Sequence, residues 1–265
     1  MSRLSDRFEV KSIVMRIAQI TDLHLRQAIP GVTTHSERLV REVPSLFAKA
    51  VRSAKEHSPD IIVVTGDLLD VPDDWISAQA NGMLGEEETL ACLADYLYIK
   101  DVLDNSELPY MVVAGNHDLP NLLWQIFERF DDLSLNGFKF IAFHDEETEN
   151  HMPQRLGLER ERFEETLHCV SEMPQVHLQH YVLTPTLHEG YPHSYLDDRT
   201  ITEKVDESER VILSLSGHYH QGTELLHMKY AYFATGTAFC NQPHAYRIYD
   251  VDLERKHVSM KQFNV

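Results

Sequence analysis

Two spacings of apolar residues alternate along the first half of the chain. Residues 13–20 alternate apolar positions and end at Thr21-Asp22, which reads as a buried strand. Residues 36–57 carry helical spacing (Leu39, Val40, Val43, Phe47, Ala50, Val51, Ala54), interrupted by Pro44, which must either kink the helix or start it. Residues 60–65 (DIIVVT) predict a second buried strand, stopped by Gly66. Residues 86–104 predict a helix whose three opening glutamates suit the positive end of the helix dipole. A strand over 110–114 and a short helix over 120–130 follow.

Farther on, the pattern predicts strands at 138–143, 176–179 and 211–216, and an amphipathic helix over 158–171. From Glu224 onward the alternation resembles antiparallel strands. There is no internal repeat, low-complexity tract or long linker, so we expect a single domain over residues 1–265. Segments 71–85 and 187–206 read as irregular and long for plain connections, which makes them candidate lids or binding loops.

Composition narrows the function classes. At 265 residues with 43% hydrophobic and 25% charged, the chain is ordinary for a globular protein with a sizeable core. No apolar run approaches the roughly 18–20 residues a membrane span needs, and the first 14 residues have no apolar core of the kind a secretory signal carries. Membrane insertion is therefore not expected. Three scattered cysteines, Cys92, Cys169 and Cys240, form no C-x-x-C pair, so a reducing cytoplasm is the default. A net charge of −18, with no run of Lys or Arg longer than a pair, disfavours nucleic acid as a partner unless another subunit supplies a basic surface.

Five short motifs fall at the C-terminal ends of predicted strands, the edge where open α/β sheets form their sites. They are Asp22-Leu-His24, Gly66-Asp67, Gly115-Asn116-His117-Asp118, Gln179-His180 and Gly217-His218-Tyr219-His220. Each supplies an oxygen or imidazole donor and none a thiol, a mixture that favours Mn, Fe, Zn, Co or Ni over Ca or Mg. Two such ions about 3.5–4 Å apart need a bridging carboxylate. Taken singly, most of these motifs read as a cap, a turn or a partly buried histidine. Five together are hard to assign to turns alone.

The order D-x-H, G-D, G-N-H-D, H, G-H-x-H resembles the calcineurin-like metallophosphoesterase superfamily, in particular its small bacterial phosphodiesterases of the class III cyclic-nucleotide type. The motifs span Asp22 to His220, most of the chain. The resemblance implies an α/β fold, a four-layer α/β/β/α sandwich of two mixed β-sheets flanked by helices. It implies that Asp22, His24 and His220 bind one metal, that Asn116, His180 and His218 bind a second, and that Asp67 bridges them. Two divalent ions are expected, with Mn or Fe favoured. His117 then resembles the general acid and Asp118 the group that orients it.

The function implied is hydrolysis of a phosphate ester, a phosphodiester before a monoester, by a bridging hydroxide with His117 donating a proton. A nuclease or nuclease subunit using the same metals is the alternative, and a non-catalytic scaffold the second. The substrate is expected to be a small molecule or nucleotide. His188, Tyr191, His193 and Arg199, with Tyr195, crowd the loop after His180; they either contact the substrate or belong to a solvated loop with aromatic packing. Trp75 is an equivalent open case in segment 71–85. His144-Asp145 reads as structural or supporting, Cys240 as structural, and His35, His57, His168 and His227 as ordinary. Oligomeric state stays open.

Overall fold

A computed structural model describes residues 14–169 and 173–265. In chain order the elements are β1 (Val14–Ile20), α1 (Val43–Glu56), β2 (Ile61–Thr65), α2 (Asp73–Ala80), α3 (Glu86–Asp104), β3 (Tyr110–Val113), α4 (Pro120–Ile126), β4 (Asp132–Leu135), β5 (Phe138–Ala142), β6 (Glu146–Glu147), β7 (Pro153–Gln154), α5 (Gly157–His168), β8 (Gln175–Leu178), α6 (Asp198–Glu207), β9 (Val211–Ser216), β10 (Leu226–His227), β11 (Tyr232–Thr235), β12 (Ala245–Asp252) and β13 (His257–Asn264). Ile13 and Ser171, the outer ends of two expected elements, lie outside the described residues.

The strands build two mixed sheets, ordered β13-β12-β1-β2-β3 and β10-β11-β9-β8-β5-β4. In the first, β1, β2 and β3 run parallel and β12 is antiparallel to β1. In the second, β5, β8, β9 and β11 run parallel. The period of two along each strand sends alternate residues into different layers. Met15, Ile17, Ile61, Val63, Met111 and Val113 face Phe138, Phe140, Val176 and Leu215 between the sheets. Ala18, Ile20, Ile62, Val64 and Val112 face outward against Phe47 of α1 and Tyr96 and Ile99 of α3. On the far side, Ile141, Val211 and Phe233 pack under Phe163 and Leu167 of α5 and Ile201 and Val205 of α6. Three apolar layers between four structural layers give the α/β/β/α sandwich.

Several boundaries differ from the sequence reading. Pro44 starts α1 rather than kinking it, because a first-turn proline loses no hydrogen bond. Residues 36–42 therefore lie outside the helix, and Leu39 instead donates its N–H to Cys240 O at 2.9 Å. The helix after β3 ends at Ile126 because Phe127 turns extended. Segments 71–85 and 187–206 are not wholly irregular: they contain α2 and most of α6, whose apolar faces are short. The C-terminal pattern is antiparallel for β12 and β13, but β11 pairs parallel with β9. The edge strand β4 alternates polar and apolar residues, but at four residues it is too short to stand out as a strand in the sequence.

Candidate metal centre

The parallel strands of both sheets bring their C-terminal ends to one edge. Asp22 follows β1, Asp67 follows β2, Asn116 follows β3, His180 follows β8 and His218 follows β9. Leaving a strand to face a common centre requires a sharp turn. Asp22, His24, Asp67 and His218 accordingly hold φ values of 52°, 44°, 51° and 68°. Left-handed backbone in non-glycine residues costs on the order of 1–3 kcal/mol each and persists where its surroundings impose it. Here cross-loop hydrogen bonds do so: Asp22 N donates to Gly66 O at 3.1 Å, His24 N to Asp67 O at 2.9 Å, and Gly217 N to His180 O at 2.8 Å. Two glycines are sterically required. A Cβ on Gly66, at φ 97°, would lie 2.2 Å from His180 Nδ1, and one on Gly115 would lie 2.2 Å from Asp67 Oδ1.

The side chains converge on Asp67. Its Oδ2 stands 3.3 Å from His24 Nε2 and 3.4 Å from His180 Nε2, so one carboxylate oxygen faces both halves of the cluster. On one side His24 Nε2 and His220 Nε2 are 3.1 Å apart, and His220 Nε2 is 3.7 Å from Asp22 Oδ1. On the other, His180 Nε2 is 3.2 Å from Asn116 Oδ1, and the ring centroids of His180 and His218 are 4.9 Å apart. The ligand atoms of Asp67, His180 and His218 lie within 4.8 Å of one another. The structure thus gathers all the expected ligands into one cluster; Asn116 and His220 are partly buried and the others buried.

Tautomers are set by the outer ring nitrogens. His180 Nδ1 lies 2.8 Å from Thr65 O and donates to it, leaving Nε2 to face inward toward Asp67. His24 Nδ1 faces Asp70 Oδ1 at 3.4 Å, and Asp70 is held by Arg26 at 2.6 Å and Arg38 at 2.9 Å. A carboxylate behind a ligating histidine fixes its orientation and raises its basicity. Sequence reasoning misses Asp70, Arg26 and Arg38; the one available signal is a second aspartate three residues after Asp67. Asp22 Oδ1 and Oδ2 accept from His218 N at 3.0 and 3.1 Å, tying the first loop to the last.

Burial shapes the charges. It pushes His24 down to about 4 and His220 down to about 2, so both imidazoles are neutral and able to coordinate. Burial also holds His218 well below its ordinary value. Burial would raise Asp67, but His180, His24 and His117 outweigh it and hold the carboxyl well down. Burial opposes a charged His180, yet Asp67 prevails and raises it. His218 Nε2 is buried with no hydrogen-bond partner.

His117 sits beside this cluster. Its ring centroid is 4.8 Å from that of His24, its backbone N–H donates to Asp67 Oδ1 at 2.9 Å, and its Nδ1 has no hydrogen-bond partner. The expectation that Asp118 orients the His117 ring meets a different geometry. Asp118 accepts from the backbone N–H of Leu68, Leu69 and Gly115 and from the Tyr96 hydroxyl, and no hydrogen bond joins it to His117 among the described residues. It braces the Gly115 turn against the Asp67 loop, so its grip on His117 is through the backbone. Tyr96, in mid-helix, carries no sequence signal for this role.

The surrounding wall sorts the weaker candidates. Tyr191 and His193 reach the cluster, with ring centroids 5.7 and 5.2 Å from His218. The Tyr191 hydroxyl donates to Glu147 Oε1 at 3.3 Å, bringing in a carboxylate that no sequence motif marks. Tyr195 is buried and donates to Asp145, which also pairs with Arg155 at 2.8 Å. His188 and Arg199 are exposed. Trp75 packs partly buried on the outer core. Cys240, read as structural, lies with His24 and His220 such that their ligand atoms are within 4.8 Å, and burial holds its thiol protonated.

Comparison with known proteins agrees with this geometry. A family model described as calcineurin-like phosphoesterase matches residues 15–222. A Synechococcus protein named a probable cyclic nucleotide phosphodiesterase is 24% identical over 228 residues, 81% of this chain and 76% of its own. A protein of Staphylococcus epidermidis named as one component of the SbcCD nuclease is 29% identical over 104 residues, 39% of this chain and 23% of its own. The crystal structure of a dimetal phosphatase from Danio rerio superposes with a TM-score of 0.65 at 13% identity, covering 94% of this chain and 98% of that one, and shares the fold.

Proposed function

This chain belongs to the calcineurin-like phosphoesterase family, and from that premise we propose that it is a dinuclear-metal phosphodiesterase acting on a small-molecule or nucleotide phosphodiester. The observation that carries this reading is Asp67 Oδ2, placed within 3.4 Å of an imidazole nitrogen from each half of the cluster. A carboxylate so placed suits a bridge between two cations. The fit is supported by the buried, unpartnered His218 Nε2, since a buried polar atom without a partner is rare in a native fold and a cation would satisfy it. Asp22, His24 and His220 would hold one ion and Asn116, His180 and His218 the other. The mixed oxygen and imidazole set suits Mn or Fe.

Two bound cations would supply an activated water at neutral pH and neutralise charge on the phosphoryl oxygens. The protein supplies the rest. His117, fixed through its backbone to Asp67, is aimed beside the cluster and protonates the leaving oxygen. Asp118 positions it by bracing the turn that carries it. Tyr191 and His193 line the second half of the site and contact the ester's substituents, with His188 and Arg199 farther out on the same segment. Of the two expected lid segments, 71–85 and the part of 187–206 that precedes α6 act as lids on one domain, while α6 itself packs in an outer layer. Three free cysteines among the described residues suit a cytoplasmic setting, and no described helix is long and apolar enough to cross a membrane.

Metal analysis followed by hydrolysis of bis-p-nitrophenyl phosphate and p-nitrophenyl phosphate tests the proposal. We expect two divalent ions per chain and faster cleavage of the diester. A protein that binds no metal and cleaves neither ester would instead be a scaffold of this fold. The partial likeness to a nuclease component supports a second reading, checked by nicking of supercoiled plasmid.

A further inference from the structure

The connection between β5 and α5 carries a short hairpin that turns one carboxylate toward the metal cluster. Its strands β6 and β7 pair antiparallel through Glu146 with Gln154 and Glu147 with Pro153. Their alternation leaves Glu146 exposed and turns Glu147 inward, to 14% side-chain exposure. Asn150 and His151, at φ 60° and 58°, close the turn and bring the His151 ring back over Glu147, with Nδ1 3.0 Å from Oε2. Thr148 N donates to Met152 O at 2.9 Å and Leu196 N to Pro153 O at 3.0 Å. The hairpin is thus fixed both within itself and to the 187–206 segment.

Two tyrosines lead from Glu147 to the second half of the cluster. The Tyr191 hydroxyl donates to Glu147 Oε1 at 3.3 Å, and the Tyr191 ring centroid is 5.7 Å from that of His218. Tyr181 packs with its ring centroid 5.0 Å from that of His180 and 4.9 Å from that of His218. Burial raises the Tyr181 hydroxyl, and the charges of Glu147 and then Asp67 raise it further. Burial raises Glu147 itself, His151 pulls it back, and Asp67 adds to the rise. Glu147 therefore lies within electrostatic reach of the central carboxylate of the cluster.

No fixed positive charge pairs with Glu147 among the described residues. Its partners are a phenol and an exposed imidazole, one on each oxygen, and hydrogen bonds to both oxygens favour the ionised form. Arg155, the residue after β7, is committed to Asp145 at 2.8 Å. A phosphodiester brings one negative charge to the site, whereas a monoester carries about 1.5 to 2 at pH 7. An unpaired carboxylate beside the second half opposes that additional charge.

Resting on the phosphodiesterase reading, we propose that Glu147 is a specificity-determining residue: its carboxylate, held by Tyr191 and His151, makes the site favour singly charged phosphodiesters over doubly charged monoesters.

Glu147→Gln keeps the shape of the side chain and an acceptor for Tyr191 but removes the charge. The quantity to measure is kcat/KM for bis-p-nitrophenyl phosphate divided by kcat/KM for p-nitrophenyl phosphate. In Glu147→Gln this ratio should fall about tenfold, through a gain on the monoester. In Glu147→Asp, which keeps the charge, it should stay within about twofold of the wild type. An unchanged ratio in Glu147→Gln, a fall that comes from lost diester cleavage, or an equal fall in Glu147→Asp overturns the assignment. A wild type that prefers the monoester removes the diesterase reading, and the same change in ratio still decides the role of Glu147. Should the wild type cleave neither ester, the phosphodiesterase reading falls and binding decides, with phenyl phosphate and diphenyl phosphate titrated calorimetrically into Mn(II)-loaded protein. Glu147→Gln should then tighten phenyl phosphate about tenfold relative to diphenyl phosphate. Equal changes for both, or binding of neither, overturn the assignment.

Discussion

The two halves of the candidate centre are built by different means. Around Asp22, His24 and His220 the support is ionic: His24 is backed by Asp70, and Asp70 is clamped by Arg26 and Arg38. Around Asn116, His180 and His218 it is a backbone carbonyl and a group of edge-on and tilted rings, with Thr65 O holding His180 and Tyr181, Tyr191 and His193 packed against His218. An ionic brace fixes both orientation and basicity of the ring it holds. Edge-on and tilted rings, of which Tyr191 and His193 are half-buried, fix position less tightly and leave aromatic and polar edges beside the cluster. On the proposed function, the first half would supply rigidity and the second would meet the substrate.

The largest effect should erase the distinction. Asp67→Asn removes the charge shared by both halves, so both metals should be lost in elemental analysis and diesterase activity with them. Retention of one full equivalent would mean that Asp67 serves one half alone. His117→Ala should come next, lowering kcat about 10²–10⁴-fold while both metals remain bound. Loss of metal in that variant would move His117 from proton donor to ligand.

Asp70→Asn should separate the halves. We expect about 10–100-fold weaker binding of one metal and little change in the other, read by calorimetric titration. Equal weakening of both would remove the asymmetry between the halves. The smallest effect concerns pH. His180 is raised, so in the metal-free protein it keeps its proton near neutrality, and a metal must displace that proton. Affinity for the His180 half should therefore rise with pH, by about tenfold per unit for each proton displaced. His24 and His220 are lowered and already neutral, while burial raises Asp22 to about 7, so the pH response of the other half should level off above about pH 7 while that of the His180 half continues to rise. Titrations in buffers of different ionisation enthalpy would count the protons released.

Local sequence carried most of the longer strands, the helices over 43–56 and 86–104 in outline, and the candidate ligand positions, because each candidate lies within four residues of a strand end that hydrophobic patterning makes visible. Their order along the chain was enough to suggest the metal-dependent chemistry. Tertiary structure alone decided what stands behind and around them. Arg38 reaches Asp70 across 32 residues, Tyr96 reaches Asp118 across 22, and Tyr191 reaches Glu147 across 44. None of these pairs follows a helical or strand period, so no local pattern could announce them. The Trp124–His144 ring contact has the same origin: the two residues come from different elements and meet, with centroids 4.9 Å apart, only after the two sheets pack face to face.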